Sequence, residues 1–374
     1  MEQIVAFHRQ PSAYRVARGT RMKNADLVNL PMHDEGPVIV IWEATRACAL
    51  ACRHCRAEAI PHRDTRELST VEAFRLVDQV VASGARVFII TGGDPLMRPD
   101  LLEIVTYSRD QGLAAALSPS ATGKLRSEVL VGLAKAGCRR ISLSLDSHDA
   151  ALHDSFRGVQ GSFERTIRGI RAAQDAGLTV QINTSVSKFN IDDVERIAER
   201  VALEKAVLWS VFLIVPVGRA TTSMLLSAEQ CEDLFARLQA VGERLHLAIK
   251  TTEGPHYRRF LVQHGASAAE LGTIGDGKGF VFISHTGEIF PSGFLEHSCG
   301  NVRNASLRYV YQNNPFMQRL RQPWTFSGKC GVCEYNRLCG GSRARAFTMT
   351  GDAFASEPSC SYVPNAYLSG VAQR

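Results

Sequence analysis

The chain predicts an α/β protein, a parallel sheet with helical crossovers, followed by a small α+β unit. Three observations carry this. Strand-like and helix-like segments alternate about six times between residues 37 and 215, the pattern of a parallel sheet joined by helices. The unusual residues fall directly after strands rather than within them. Beyond about residue 245 the alternation stops, and a second group of cysteines follows in Gly-rich surroundings.

Residues 1–35 have no clean period and stay unassigned as an N-terminal extension. "PVIVIWEAT" (37–45) reads as a buried strand and leads into "CALACRHC" (48–55). "STVEAFRLVDQVVASGA" (69–85) has a Ser start, helical apolar spacing and a Gly stop. "RVFIIT" (86–91) is the next strand and ends in "GGDP". A helix over 99–111 leads to a strand at 113–118 and then "SPSATG"; 125–136 is helical, and 139–146 is a strand that runs into "DSHD". An amphipathic helix at 162–177, a strand at 178–186, a helix at 191–205 and a strand at 207–215 complete the series. Then "GFVFISHTGEIFPSG" (279–293) reads as a hairpin, and 306–321 as a helix. Chemistry collects at the carboxyl ends of parallel strands in barrels and in doubly wound sheets alike. The placement therefore marks a site and leaves the closure of the sheet open.

Composition sets outer bounds. With 374 residues, 45% hydrophobic and 21% charged, the chain has an ordinary soluble make-up. A formal net charge of +6 suits an anionic substrate and equally suits a merely soluble protein. The start, "MEQIVAFHRQ", lacks the basic region and apolar core of a signal peptide. No apolar run approaches the roughly 18 residues that span a bilayer. The expectation is a cytoplasmic protein without a membrane or nucleic-acid partner. There thiols stay reduced, and clustered cysteines point to metal or catalysis.

The chain has ten cysteines. Cys48, Cys52 and Cys55 follow C-x3-C-x2-C spacing on a short loop, where thiolates can converge on one inorganic centre. An iron–sulfur cubane usually takes four cysteines. Three leave one iron free for another ligand. The rival readings are a zinc site completed by His54 or His62 and three small buried hydrophobes.

C-x3-C-x2-C after the first strand of an α/β chain resembles the radical S-adenosylmethionine (SAM) superfamily. The resemblance covers about residues 37–216 and implies a partial (β/α)6 TIM-like barrel. It also implies a [4Fe–4S] cluster whose open iron chelates SAM, and reductive cleavage of SAM to a 5′-deoxyadenosyl radical. Gly92, Gly93 and Asp94 sit where the family has Gly-Gly-Glu, which receives the SAM amino group; the shorter Asp replaces Glu. Ser144 and Asp146 take the place of polar residues near the ribose. Arg157 resembles the basic partner of the SAM carboxylate, and His54 stands where an aromatic residue lies near the adenine. Each has a plainer reading as a turn glycine, a core hydroxyl or a surface cation.

Cys330, Cys333 and Cys339 follow C-x2-C-x5-C, with Cys360 beyond. Four cysteines close a cubane, and closed tetrahedral zinc is the alternative. The arrangement resembles the SPASM and twitch extensions of radical SAM enzymes. It departs from a full SPASM pattern at Ser292 and Arg343, which implies one auxiliary [4Fe–4S] cluster. Cys299 is a spare that competes with Cys360, while Cys138 and Cys231 read as structural. The implied domains are 1–35, a radical SAM barrel over 36–245, and an auxiliary-cluster unit over 246–374.

With "CGGSRARA", "TGGDPLMRPDL" and "KTTEGPHYRR", the chain is most similar to the branch of alternative haem and haem d-type synthesis enzymes and their relatives. This implies hydrogen abstraction from a carboxylate-bearing substrate such as a tetrapyrrole side chain. Lys250, Glu253, Arg258, Arg259, Arg343 and Arg345 offer charges for it. His256 and Tyr257 are the candidates for moving a proton, and reduced flavodoxin or ferredoxin is the implied electron donor. A second reading is a peptide-modifying maturase. A third, of another class, is a non-enzymatic zinc-binding protein.

Overall fold

A computed structural model describes Leu27 and residues 30–369. Most of the unassigned N-terminal extension therefore lies outside the described residues. Seven strands and their crossovers come first. They are β1 (Ile39–Glu43), α1 (Thr70–Ala82), β2 (Val87–Thr91), α2 (Leu101–Asp110), β3 (Ala115–Leu117), α3 (Ser127–Ala136), β4 (Arg140–Ser144), α4 (Ala150–Arg157), α5 (Ser162–Asp175), β5 (Thr179–Val186), α6 (Val194–Leu203), β6 (Leu208–Leu213), α7 (Ala228–Leu245) and β7 (Ile249–Thr252). After α8 (His256–Gln263) come β8 (Phe280–Ile283), β9 (Glu288–Phe290), β10 (Gly300–Asn301), α9 (Leu307–Asn313), α10 (Pro315–Leu320) and α11 (Arg343–Thr350).

Local chemistry sets the ends of these elements. α1 starts at a capping box, with Ser69 and Glu72 bonding each other's backbone, and buries Ala73, Leu76, Val77 and Val80. α7 repeats the device with Ser227 and Gln230. The single helix expected over 306–321 is two. Asn314 is extended (φ −66°, ψ 124°), as a residue before proline prefers, and its side chain caps α10.

The strands form one sheet in the order β10-β9-β8-β1-β2-β3-β4-β5-β6-β7. From β1 to β7 each strand is parallel to the next, with no reversal. That excludes the switch point of a doubly wound sheet. β8 then lies parallel to β1 on its other side, Ile41 opposite Phe282. This is barrel order, left open between β7 and β8. The expected hairpin is present as antiparallel β8 and β9, and it joins the same sheet. Several elements exceed the sequence expectation, among them α4, α7 and α8, and β7, which continues the alternation past residue 245.

Alternate residues face opposite sides of each strand. Val40, Trp42, Phe88, Ile90, Ile141, Leu143, Ile182, Trp209 and Val211 share one buried core with Leu76, Ile104, Leu133, Ile170 and Val201 of the helices. The other face, the barrel interior, changes character around the wall. Ile41, Ile89 and Phe282 make it apolar on one side. Ser144, Asn183, Ser210 and Lys250 make it polar on the other, and they stand opposite one another in a continuous register row.

Candidate active site

After β1 the chain turns over the carboxyl end of the sheet. The loop from Ala47 to Ile60 is closed by a bridge between those two residues, and Cys48 N–H donates to the Ile60 carbonyl at 2.9 Å. Cys48, Leu50 and Cys52 are buried together, with Cys55, Ala59 and Val159 packed against them. The backbone N–H of Leu50 points at Cys48 Sγ (3.3 Å) and that of Ala59 at Cys55 Sγ (3.4 Å). Donors aimed at sulfur favour the thiolate. Glu43 anchors the loop by accepting from Arg56 at 2.5 Å, and it faces His285 Nδ1 at 3.1 Å. Burial alone would raise the Glu43 pKa. Arg56 leads the groups that instead hold it at about 2.

The end of β2 lies directly on this loop. Gly93 N–H donates to the Thr45 carbonyl and Asp94 N–H to that of Ala47, each at 2.7 Å. A Cβ on Gly92 would stand 2.5 Å from Thr45 O, and one on Gly93 2.5 Å from Arg46 O. Only glycine permits that approach. Asp94 is fully buried. Its carboxylate accepts from Thr122 Oγ1 (2.9 Å), Leu96 N–H (3.1 Å) and Ser120 N–H (3.4 Å). It has no ion-pair partner among the described residues, and burial raises its pKa. Ser120 completes the join, donating to Gly93 O at 2.8 Å and lying 3.4 Å from Cys48 Sγ.

Ser144 ends β4 half-buried. Two residues on, Asp146 accepts from Ser185 N–H at 2.9 Å and from Arg157 Nε at 2.6 Å. Arg157 also places Nη1 3.7 Å from Cys52 Sγ. Burial works against this guanidinium, but Asp146 and then Cys52 raise its pKa. Two residues read separately in the sequence are thus one ion pair touching the cysteine loop. His54 stacks on Phe156 (4.1 Å, 10°), and Phe156 stacks on Phe189 (4.9 Å, 9°). Burial, then Arg157 and Arg219, hold His54 well below its ordinary pKa. Its Nδ1 is buried without a hydrogen-bond partner among the described residues.

Arg219 is a neighbour that sequence reasoning missed. It follows β6, and its N–H donates to the Cys55 carbonyl at 3.1 Å. Gly218 makes this possible with φ +58°, where a Cβ would stand 2.5 Å from the carbonyl oxygens of Cys55 and Arg56. Arg219 Nε and Nη2 are both buried and have no partner among the described residues. These two parallel N–H groups form the fork that takes a carboxylate bidentately. The signal was available, since "VGR" comes directly after a strand like every other motif of the site.

The structure places His256 elsewhere. Cys330, Cys333, Cys339 and Cys360 line one pocket with His256, Arg259 and Lys329. His256 is fully buried, and both ring nitrogens lack hydrogen-bond partners among the described residues. Tyr257 lies in the core, its ring 5.2 Å from that of Phe235. Cys299 is outside this pocket and donates to His297 O at 3.5 Å. Cys138 and Cys231 are core residues.

Both cysteine sets suit a cubane, in which each thiolate binds a different iron. The first set offers three sulfurs on one closed loop, with two backbone N–H groups and a guanidinium turned towards them. The second offers four. Backbone N–H groups reach Cys330 (3.2 Å, from Glu357) and Cys339 (3.4 Å, from Gly341), and Arg343 Nη2 lies 3.7 Å from Cys330. Burial pushes the Cys339 thiol up to about 12. Among the described residues no three His, Cys, Asp or Glu side chains are arranged around a single metal ion. No helix among them is long and apolar enough to cross a membrane.

Residues 42–201 match the family model described as the Radical SAM superfamily. The chain is 41% identical over 344 residues to the AdoMet-dependent heme synthase of Nitratidesulfovibrio vulgaris, covering 87% of this chain and 92% of the relative. It is 38% identical to the protein of that name from Methanosarcina barkeri, with 88% and 97% covered. Among solved structures, Streptococcus suis SuiB bound to S-adenosylmethionine has a TM-score of 0.70 at 17% identity, over 88% of this chain and 78% of that one. At that identity the likeness shows the fold alone.

Proposed function

The chain belongs to the radical SAM superfamily, and from that premise we propose that it takes hydrogen from a carboxylate-bearing side chain of a tetrapyrrole. The observation that carries this reading is the 41% identity, over 92% of its length, to a protein named a heme synthase. Peptide maturation is the weaker alternative, because SuiB shares the fold at only 17% identity.

The enzyme uses a [4Fe–4S] cluster and SAM. When bound, they supply a 5′-deoxyadenosyl radical on one-electron reduction. Cys48, Cys52 and Cys55 hold the cluster. Gly92 and Gly93 bring the end of β2 against the cysteine loop. Asp94, buried without a cation, supplies the countercharge for the SAM ammonium. Arg157 is already engaged by Asp146, so its part is to brace the loop at Cys52, while the open fork of Arg219 receives the SAM carboxylate. His54 carries the adenine side on its aromatic stack, and Ser144 and Asp146 bound the ribose side. Cys330, Cys333, Cys339 and Cys360 hold one auxiliary [4Fe–4S] cluster. His256 lines the pocket of those four cysteines and would stand beside that cluster, and Tyr257 packs the helix carrying it into the core.

The division near residue 245 into a SAM-binding barrel and an auxiliary-cluster unit belongs to the same reading. So do the unassigned role of residues 1–35, a cytoplasmic setting, and reduced flavodoxin or ferredoxin as the electron source. The test is anaerobic turnover with SAM and reductant. A porphyrin carrying propionates should stimulate 5′-deoxyadenosine formation and change mass, and peptides should do neither.

A further inference from the structure

α8 carries two donors that the SAM site does not use. His256 and Arg259 stand three residues apart, so they share one face of the helix, and both line the pocket of Cys330, Cys333, Cys339 and Cys360. Both are buried. His256 packs edge-on to Phe235, with ring centroids 4.8 Å apart and 70° between the planes. Neither of its ring nitrogens meets a hydrogen-bond partner among the described residues. Arg259 spends Nη1 on Glu232 (3.0 Å) and Gln263 (2.8 Å), and Nη2 on Glu232 again. Its Nε is buried with no partner among the described residues. Burial works against this guanidinium, but Glu232, then Cys360 and Cys339, raise its pKa.

The other polar side chains of the pocket are already engaged. Glu357 accepts from Ser342 N–H (2.6 Å), Ser359 N–H (2.9 Å) and Arg345 Nη1 (3.1 Å). Asn336 donates to Gly331 O at 3.0 Å, Lys329 to Cys360 O, and Tyr362 to Glu334. The acceptors left to His256 and Arg259 in this pocket are sulfur. An imidazole carries at least one N–H in either tautomer, and burying a donor without an acceptor is destabilising. Two such donors beside four cysteines fit an anionic sulfur centre. N–H groups that meet the sulfurs of an iron–sulfur cluster favour the extra negative charge of its reduced form, and so raise its potential. Backbone N–H groups already reach Cys330 and Cys339. His256 and Arg259 would add side-chain donors, which substitution can remove one at a time.

We infer that His256 and Arg259 Nε donate to the sulfurs of the cluster held by Cys330, Cys333, Cys339 and Cys360, and that they set its reduction potential rather than its assembly. The inference rests on the reading of this pocket as an auxiliary [4Fe–4S] site. It adds which side chains tune that centre, and in which direction.

The test uses the anaerobically reconstituted full-length chain with Cys48, Cys52 and Cys55 changed to Ala, so that the reduced-state signal comes from the second site alone. Iron is counted, and the potential is read by a redox titration followed by electron paramagnetic resonance. His256→Leu removes the imidazole donor. Arg259→Lys keeps the charge and the Glu232 pair but loses the Nε–H. Each should retain roughly four irons and shift the reduction equilibrium about tenfold towards the oxidised form, a potential about 59 mV lower for one electron. His256→Gln keeps an N–H and should stay near the parent potential. Unchanged potentials in His256→Leu and Arg259→Lys overturn the inference and leave the cluster reading standing, as does a His256→Gln potential as low as that of His256→Leu. Iron lost from His256→Leu at an unchanged melting temperature overturns it too, since the histidine would then be a ligand. If His256→Leu does not fold, Arg259→Lys decides alone. A parent protein that holds zinc or no metal in the second site ends both readings.

Discussion

Arg219 donates its backbone N–H to the carbonyl of Cys55 at 3.1 Å, while its Nε and Nη2 stay buried with no partner among the described residues. Arg157, by contrast, spends Nε on Asp146 and turns Nη1 to Cys52. The two arginines should separate in mutants. Arg219→Met should weaken SAM binding by about tenfold or more with iron content intact. Arg157→Met leaves Asp146 buried without its cation and should lower the melting temperature and the iron retained. Reversed phenotypes would exchange the two roles.

Asp94 gives the second prediction. Its three protein donors hold it in place, but none is a cation, and burial raises its pKa. Asp94→Asn keeps the shape and most of the hydrogen bonding. SAM affinity should fall about tenfold or more, with native iron content and little change in melting temperature. Undiminished affinity, measured by equilibrium dialysis, would move the ammonium contact elsewhere.

The second cysteine site yields a contrast. Cys360 lines the pocket with Cys330, Cys333 and Cys339, and Cys299 does not. A protein with all three first-site cysteines changed to Ala should retain roughly four irons, with a reduced-state spectrum unaffected by SAM. Adding Cys299→Ala should change neither property, whereas adding Cys360→Ala should strip the iron or make the spectrum respond to SAM.

Much of this arrangement is legible in the sequence. The cysteine spacings and the rule that chemistry follows strands pointed to both candidate sites, because they depend on residues near in sequence. Contacts between distant segments were not legible. Asp146 and Arg157 each had a plausible separate role, and only folding α4 back beside β4 made them a pair. β7 escaped notice because it has four residues with Lys250 among them, which breaks the apolar run expected of a buried strand. His256 drew attention as a polar residue in a charged stretch, but α8 turns it to the second cysteine group.

The central claim is that SAM cleavage here serves tetrapyrrole chemistry. Its most direct test is 5′-deoxyadenosine release by the anaerobically reconstituted enzyme under reductant, with and without an iron porphyrin bearing four propionates. The predicted result is a clear stimulation by that porphyrin, a matching loss of mass from it, and none of either in the variant lacking Cys48, Cys52 and Cys55. Release that the porphyrin does not stimulate, with the porphyrin recovered unchanged and a peptide modified instead, would contradict it.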